Sequence, residues 1–369
     1  MKNPIQELVE VSQHFGNDKS FVLAGGGNTS YKTEDLIWIK ASGISLATII
    51  EDGFVCLSRD RLKLISTKVY NEDVLIRENE VKMDLHAEIL HQSILRPSVE
   101  TSLHNAVDYR FVVHTHPTIV NALLCSVKAK EWCLSLFGDK VLYISYTDPG
   151  YVLFKKVSEK ISEFETRWGE APKIIFLENH GVFVGADSIK EINQLYNDLI
   201  HTIEDNIYGH FPSIVTTYLQ QYIPEKVISS NQGFQGFTVL GFSSELVGHF
   251  IKDEKSFEKV RRSFTPDDIV YCKAHYLFVN EINDIADRVS GYIRQYGYLP
   301  KVIALKNFGL IAVEENEKSA RTVWEVFENI LKISFLSENF GGPHFLNDEQ
   351  IAFIDNWEVE NYRRKINKT

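Results

Sequence analysis

No stretch of the 369 residues approaches the roughly 18 consecutive apolar side chains that would nominate a membrane span. Positive charge is in deficit: 39 Lys and Arg stand against 50 Asp and Glu, a formal net charge of −11. That balance argues against the broad basic footprint of a nucleic-acid binder, and it repels anionic lipid. Cysteine is sparse. Cys56, Cys125, Cys133 and Cys272 form no Cys-x-x-Cys pair and are too few for a disulfide framework. The N-terminal Met1-Lys2-Asn3-Pro4 does not open an apolar signal core. These absences predict a cytoplasmic protein with neither nucleic acid nor membrane as partner.

What remains is ordinary globular composition, 44% apolar and 24% charged, which excludes wholesale disorder. At roughly 150 residues per domain the chain has room for two or three. Strand-like and helix-like segments alternate through the first half. Helices are predicted over 4–15, 58–69, 84–95, 118–125, 149–167 and 188–206, and strands over 35–41, 110–113, 140–145 and 173–178. This alternation predicts a layered α/β or α+β domain over residues 1–212. The tail from 347 to about 364 has helical spacing.

A repeat organises the second half. Trp168-Gly169 through Pro172-Lys173 to Asn179-His180-Gly181 aligns without a gap on Tyr296-Gly297 through Pro300-Lys301 to Asn307-Phe308-Gly309, at a constant offset of 128 residues. The reading is a partly duplicated α/β region over 213–369, with Phe308 where the first copy has His180. A boundary is expected within 207–235, where Gly209, Pro212, Pro224 and Ser229-Ser230-Asn231 cluster.

Four patterns carry chemistry. His114-x-His116 closes a predicted strand, and alternate strand residues share a face, so both imidazoles can address one point. Two hydrogen-bonded histidines at a strand end would look the same. His180, on a polar turn followed by Gly181, is placed to supply a third nitrogen, and three neutral imidazoles leave an open coordination position on zinc. Glu100, after Pro97-Ser98-Val99, sits where a helix cap would, but beside a metal a carboxylate can also serve as base. Ala24-Gly25-Gly26-Gly27-Asn28-Thr29-Ser30 and Ser42-Gly43, read as loops, lack Walker and dinucleotide spacing, yet can offer backbone N–H groups and hydroxyls to an anion.

Taken together and in this order, the four patterns resemble the class II aldolase and adducin head-domain family over roughly residues 1–210. Later segments, Phe264-Thr265-Pro266-Asp267 and Lys301 to Leu310, look like the aldolase region of bifunctional rhamnulose-phosphate aldolase/dehydrogenase proteins. No dehydrogenase module is matched, so no such activity is carried over. The resemblance implies a three-layer α/β fold, with 213–369 as a degenerate second aldolase-like domain. It implies zinc or another divalent ion on His114, His116 and His180, with Glu100 moving protons. Gly27, Asn28, Ser42, Gly43 and Ser98 would hold the phosphate of a ketose 1-phosphate, cleaved to dihydroxyacetone phosphate and an aldehyde. The resemblance also implies a homo-oligomer. Val99 stands where family aldolases usually have a second serine, and Tyr143, Tyr146 and Tyr151 lie near the region that supplies the family's tyrosine acid. The same family leaves open an epimerase, dehydratase or decarboxylase on a related sugar phosphate or sugar acid, and a non-catalytic adducin-like binding role. The typical epimerase residue at the Glu100 position is Asp.

Overall fold

The computed structural model describes residues 3–90, 94–219 and 236–356. Its contacts divide the chain into two compact units, residues 1–124 with 128–206, and 125–127 with 207–369. Both are α/β. The first holds a seven-stranded sheet of β1 (Asn28–Lys32), β2 (Leu36–Lys40), β3 (Phe54–Ser58), β4 (Phe111–Thr115), β5 (Leu142–Ile144), β6 (Ile174–Leu177) and β7 (Gly181–Ala186). The order is β3-β2-β1-β4-β7-β6-β5, and every pairing is antiparallel except β5 with β6.

Strand alternation assigns the two faces of this sheet. From β4, Val112 and His114 point to one face, where the helices Thr101–Ala106 and Tyr151–Trp168 pack with Leu103, Phe154, Val157 and Ile161. Each of those apolar side chains contributes about 1.5–3 kcal/mol on burial. Thr115 points to the other face and bonds the buried hydroxyl of Tyr196, from the helix Ile189–Glu204, at 2.8 Å. Thr29 turns the same way, to Ser12 of the helix Pro4–Gly16 at 2.6 Å.

Most predicted elements form within a residue or two, but two do not. Of the segment 84–95, residues 84–87 end a helix, and 88–90 and 94–95 are not helical. The helix here is Val74–Ala87, started by the Asp73 carboxylate, which accepts from the Ile76 N–H. The chain then leaves the helix so that Leu90 N–H can donate to Cys56 O beside β3. Part of the prediction, residues 91–93, lies outside the described residues, as do 220–235 of the expected boundary and the tail beyond 356. Nor do Asn28-Thr29-Ser30 belong to a loop: the glycine run ends at Gly27, and the next five residues form a central, fully buried strand.

The second unit has a five-stranded sheet of β8 (Thr217–Tyr218), β9 (Thr238–Ser243), β10 (Leu277–Val279), β11 (Val302–Leu305) and β12 (Gly309–Glu314), in the order β10-β11-β12-β9-β8. Its pairings follow β5-β6-β7-β4-β1 of the first unit. Leu177 opposite Gly181 is matched by Leu305 opposite Gly309, and His114 opposite Phe183 by Gly241 opposite Ile311. The turn repeats as well: Asn179 and Asn307 both take the left-handed conformation, at φ 54° and 55°. By this register the counterparts of His114, His116 and His180 are Gly241, Ser243 and Phe308.

Candidate metal centre

The site is assembled by β4, the β6–β7 turn and the residues before the helix Thr101–Ala106. His114 ends the inward-facing alternation of β4 and stacks on Phe183 of β7 at 4.0 Å. Its Nδ1 lies 3.0 Å from Val182 O, an acceptor, so Nδ1 carries the proton and Nε2 presents a bare lone pair. Burial holds His114 well below its ordinary pKa, which keeps the imidazole neutral.

His116 lies one residue beyond the strand, its N–H donating to Phe21 O, and its Nε2 is 3.0 Å from that of His114. His180 arrives on the left-handed turn. Its own N–H donates to Leu177 O, the Asn179 N–H donates to Leu124 O, and the Asn121 amide donates to its carbonyl at 3.2 Å. Gly181 is required by close approach. A Cβ there would meet His116 Cδ2 at 2.5 Å and Thr115 O at 2.6 Å. One ligand atom from each of the three histidines lies within 4.8 Å of the others. They form a cluster that can hold a metal ion.

Glu100 completes it. The residue sits at the N-cap of Thr101–Ala106 but makes no capping bond with its side chain. Its Oε2 instead accepts from Asn28 Nδ2 at 2.5 Å. Oε1 is buried without a hydrogen-bond partner, 3.4 Å from His114 Nε2 and 3.5 Å from His180 Nε2. A buried carboxylate oxygen left bare among imidazole nitrogens is what a cation would satisfy, so the donor set fits a divalent metal. Burial opposes ionisation of Glu100; positive charge within the cluster of His114, His180 and His116, together with the Asn28 N–H, favours it and holds the carboxyl below its ordinary range.

The segments expected to bind an anion converge on the same place. Gly27 has φ +65° and passes so close to β4 that a Cβ would stand 2.8 Å from His114 O. Gly43 also has positive φ, 84°. Ser42 N–H donates to Arg96 O and Ala41 bridges Pro97, which ties the Ser42-Gly43 loop to Pro97-Ser98. Ser98 Oγ accepts from Asn28 Nδ2 and from Glu100 N–H, both at 3.2 Å. Both amide hydrogens of Asn28 are therefore engaged by Ser98 and Glu100. Of the three tyrosines, Tyr151 bonds Lys68 O and Tyr146 is buried beside Asp148.

Sequence reasoning missed the support behind Asn28. Asn28, Ser30 and Lys32 alternate on β1 toward the helix Thr101–Ala106. His104 Nε2 bonds Asn28 Oδ1, and Ser30 Oγ lies 2.7 Å from His104 Nδ1. The buried Lys32 Nζ donates to His104 O at 2.5 Å and to Val107 O. A polar side chain at every second residue of β1 was the available signal, hidden because the segment read as a loop.

Over 220 residues the chain is 27% identical to "Uncharacterized oxidoreductase YuxG" of Bacillus subtilis, a match covering 54% of this chain and only 30% of that protein. Over 182 residues it is 24% identical to the L-fuculose phosphate aldolase of Methanocaldococcus jannaschii, covering 47% of this chain and 79% of the relative. Among solved structures, the N-terminal class II aldolase domain of a conserved Thermoplasma acidophilum protein aligns at 26% identity and a TM-score of 0.47, over 56% of this chain and 94% of that one. The family model for the class II aldolase and adducin N-terminal domain matches residues 6–204, the span that contains every residue of the site. A chain matched over more than half its length, with the three-histidine cluster inside the match, belongs to that family.

Proposed function

We propose that this chain is a divalent-metal, zinc-type aldolase that cleaves a ketose 1-phosphate of the rhamnulose or fuculose kind to dihydroxyacetone phosphate and an aldehyde. The observation that carries the reading is Glu100 Oε1, buried and bare against His114 and His180 in a centre of three imidazoles. Kinship with an L-fuculose phosphate aldolase supports the choice of substrate class. His114, His116 and His180 would hold the metal, which when bound supplies Lewis-acid polarisation of substrate oxygens. Glu100 is ionised at any working pH. It accepts a proton at Oε1 during carbon–carbon cleavage and returns it to the leaving fragment. Ser42, Gly43, Ser98 and the Gly27 backbone would orient the phosphate. Asn28 then acts on the reaction by holding Glu100.

In the second unit, Gly241, Ser243 and Phe308 offer no imidazole at the three corresponding positions, so we read it as a degenerate copy of the first. Self-association is part of the proposal, supported by the exposed apolar side chains Leu64, Leu75, Ile76 and Met83.

The test is a coupled assay for dihydroxyacetone phosphate with zinc-loaded protein and six-carbon deoxyketose 1-phosphates. Release is expected from wild type, and Glu100→Gln should lower kcat by roughly 10²–10⁴ while keeping the metal. Isomer formation without aldehyde release would overturn the reading.

A further inference from the structure

We propose that His104 is a positioning residue that aims Glu100 by fixing the orientation of the Asn28 amide. The inference rests on the aldolase reading for its kinetic consequence, but its structural content stands apart from it.

For a neutral His104 ring the donor and acceptor pattern leaves one assignment. The Glu100 carboxylate only accepts, so the Asn28 NH2 must face it and Asn28 Oδ1 must face the other way. Oδ1 only accepts, so His104 must donate through Nε2–H. His104 Nδ1 is then bare, and Ser30 hydroxyl donates to it across 2.7 Å. All four residues are buried, so water does not offer a substitute partner.

The geometry follows from two periods. On the helix, Glu100 and His104 are four residues apart and share a face. On β1, Asn28 and Ser30 are two apart and share a face. The two pairs meet as a closed set: Asn28 touches both helix residues, and Ser30 touches His104. Lys32, two further along the strand, fixes the helix end through the carbonyls of His104 and Val107. With His104's donor removed, the Asn28 amide loses the one contact that holds its oxygen, and only Ser98 and Glu100 oppose its rotation. Rotation would put an oxygen against Glu100 Oε2, and the carboxylate would swing away from His114 and His180.

The experiment reads the imidazole first. Two-dimensional 15N spectra of histidine-labelled, metal-free full-length protein, with His104 assigned by comparison with His104→Gln, should show a neutral Nε2–H tautomer at neutral pH. An Nδ1–H tautomer or an imidazolium overturns the proposal, whatever the enzyme's activity. Kinetics come second. His104→Leu should lower kcat about 10–100-fold, with KM and zinc content within about threefold of wild type. His104→Gln, whose amide can donate from nearly the same point, should recover most of the loss. Wild-type kcat in His104→Leu overturns the proposal. An inactive wild type would sink the aldolase reading and leave the tautomer result standing. That spectrum needs no folded Leu variant.

Discussion

At the residue scale, burial holds imidazoles neutral. His104 shows its thermodynamic consequence. Desolvation dominates over the attraction of Glu100 and pulls its pKa from 6.5 down to about 3. The folded protein therefore keeps this imidazole neutral while the unfolded chain takes up a proton below about 6.5. Stability should fall as pH drops from 6.5 toward 3, with the loss complete below that range. The wild type should lose about 3 kcal/mol more than His104→Gln between pH 6.5 and 4, measured by urea denaturation. Parallel curves for the two proteins would show that His104 titrates normally in the fold.

At the element scale, the β-turn before Gly181 and its counterpart before Gly309 separate structural from functional constraint. A Cβ at Gly181 would stand 2.6 Å from Thr115 O, and one at Gly309 2.6 Å from Phe242 O. Both are backbone contacts that cannot yield by a rotamer change. Gly181→Ala and Gly309→Ala should each destabilise by about 1–3 kcal/mol. Only Gly181→Ala should weaken zinc binding, because its methyl also presses on His116. Equal weakening by Gly309→Ala, in competition with a chelator, would contradict the assignment of the metal to the first unit.

These elements also show what a sequence can disclose. The short β-rich run 110–113 announced β4 and with it the address of His114 and His116, since period and hydrophobicity are local. The Asn-His-Gly turn was legible because its copy recurs 128 residues later. β1 was not. Its residues Asn28-Thr29-Ser30 are turn formers by composition, and only pairing with β2 and β4 makes them a strand. The helix over 84–95 failed for a related reason. Val74–Ala87 exposes Leu75, Ile76 and Met83, which blurs the amphipathic stripe that marks helix bounds. His104 and Lys32 act on partners more than 70 residues away along the chain, beyond the reach of local pattern.

At the scale of the whole molecule, one sheet plan appears twice and carries imidazoles once. No helix among the described residues is long and apolar enough to cross a membrane. The net charge of −11 opposes the proposed sugar phosphate at long range, so its attraction would have to be local, from the proposed metal and from the donors of the Ser42-Gly43 and Ser98 loops. In the proposed assignment His114, His116 and His180 form the metal centre and Gly241, Ser243 and Phe308 do not. Its most direct measurement is zinc per chain, by mass spectrometry of the reconstituted and dialysed full-length protein alongside His116→Ala. The account predicts about one zinc in the wild type and close to none in the variant. A wild type without zinc, or zinc that survives His116→Ala undiminished, would contradict it.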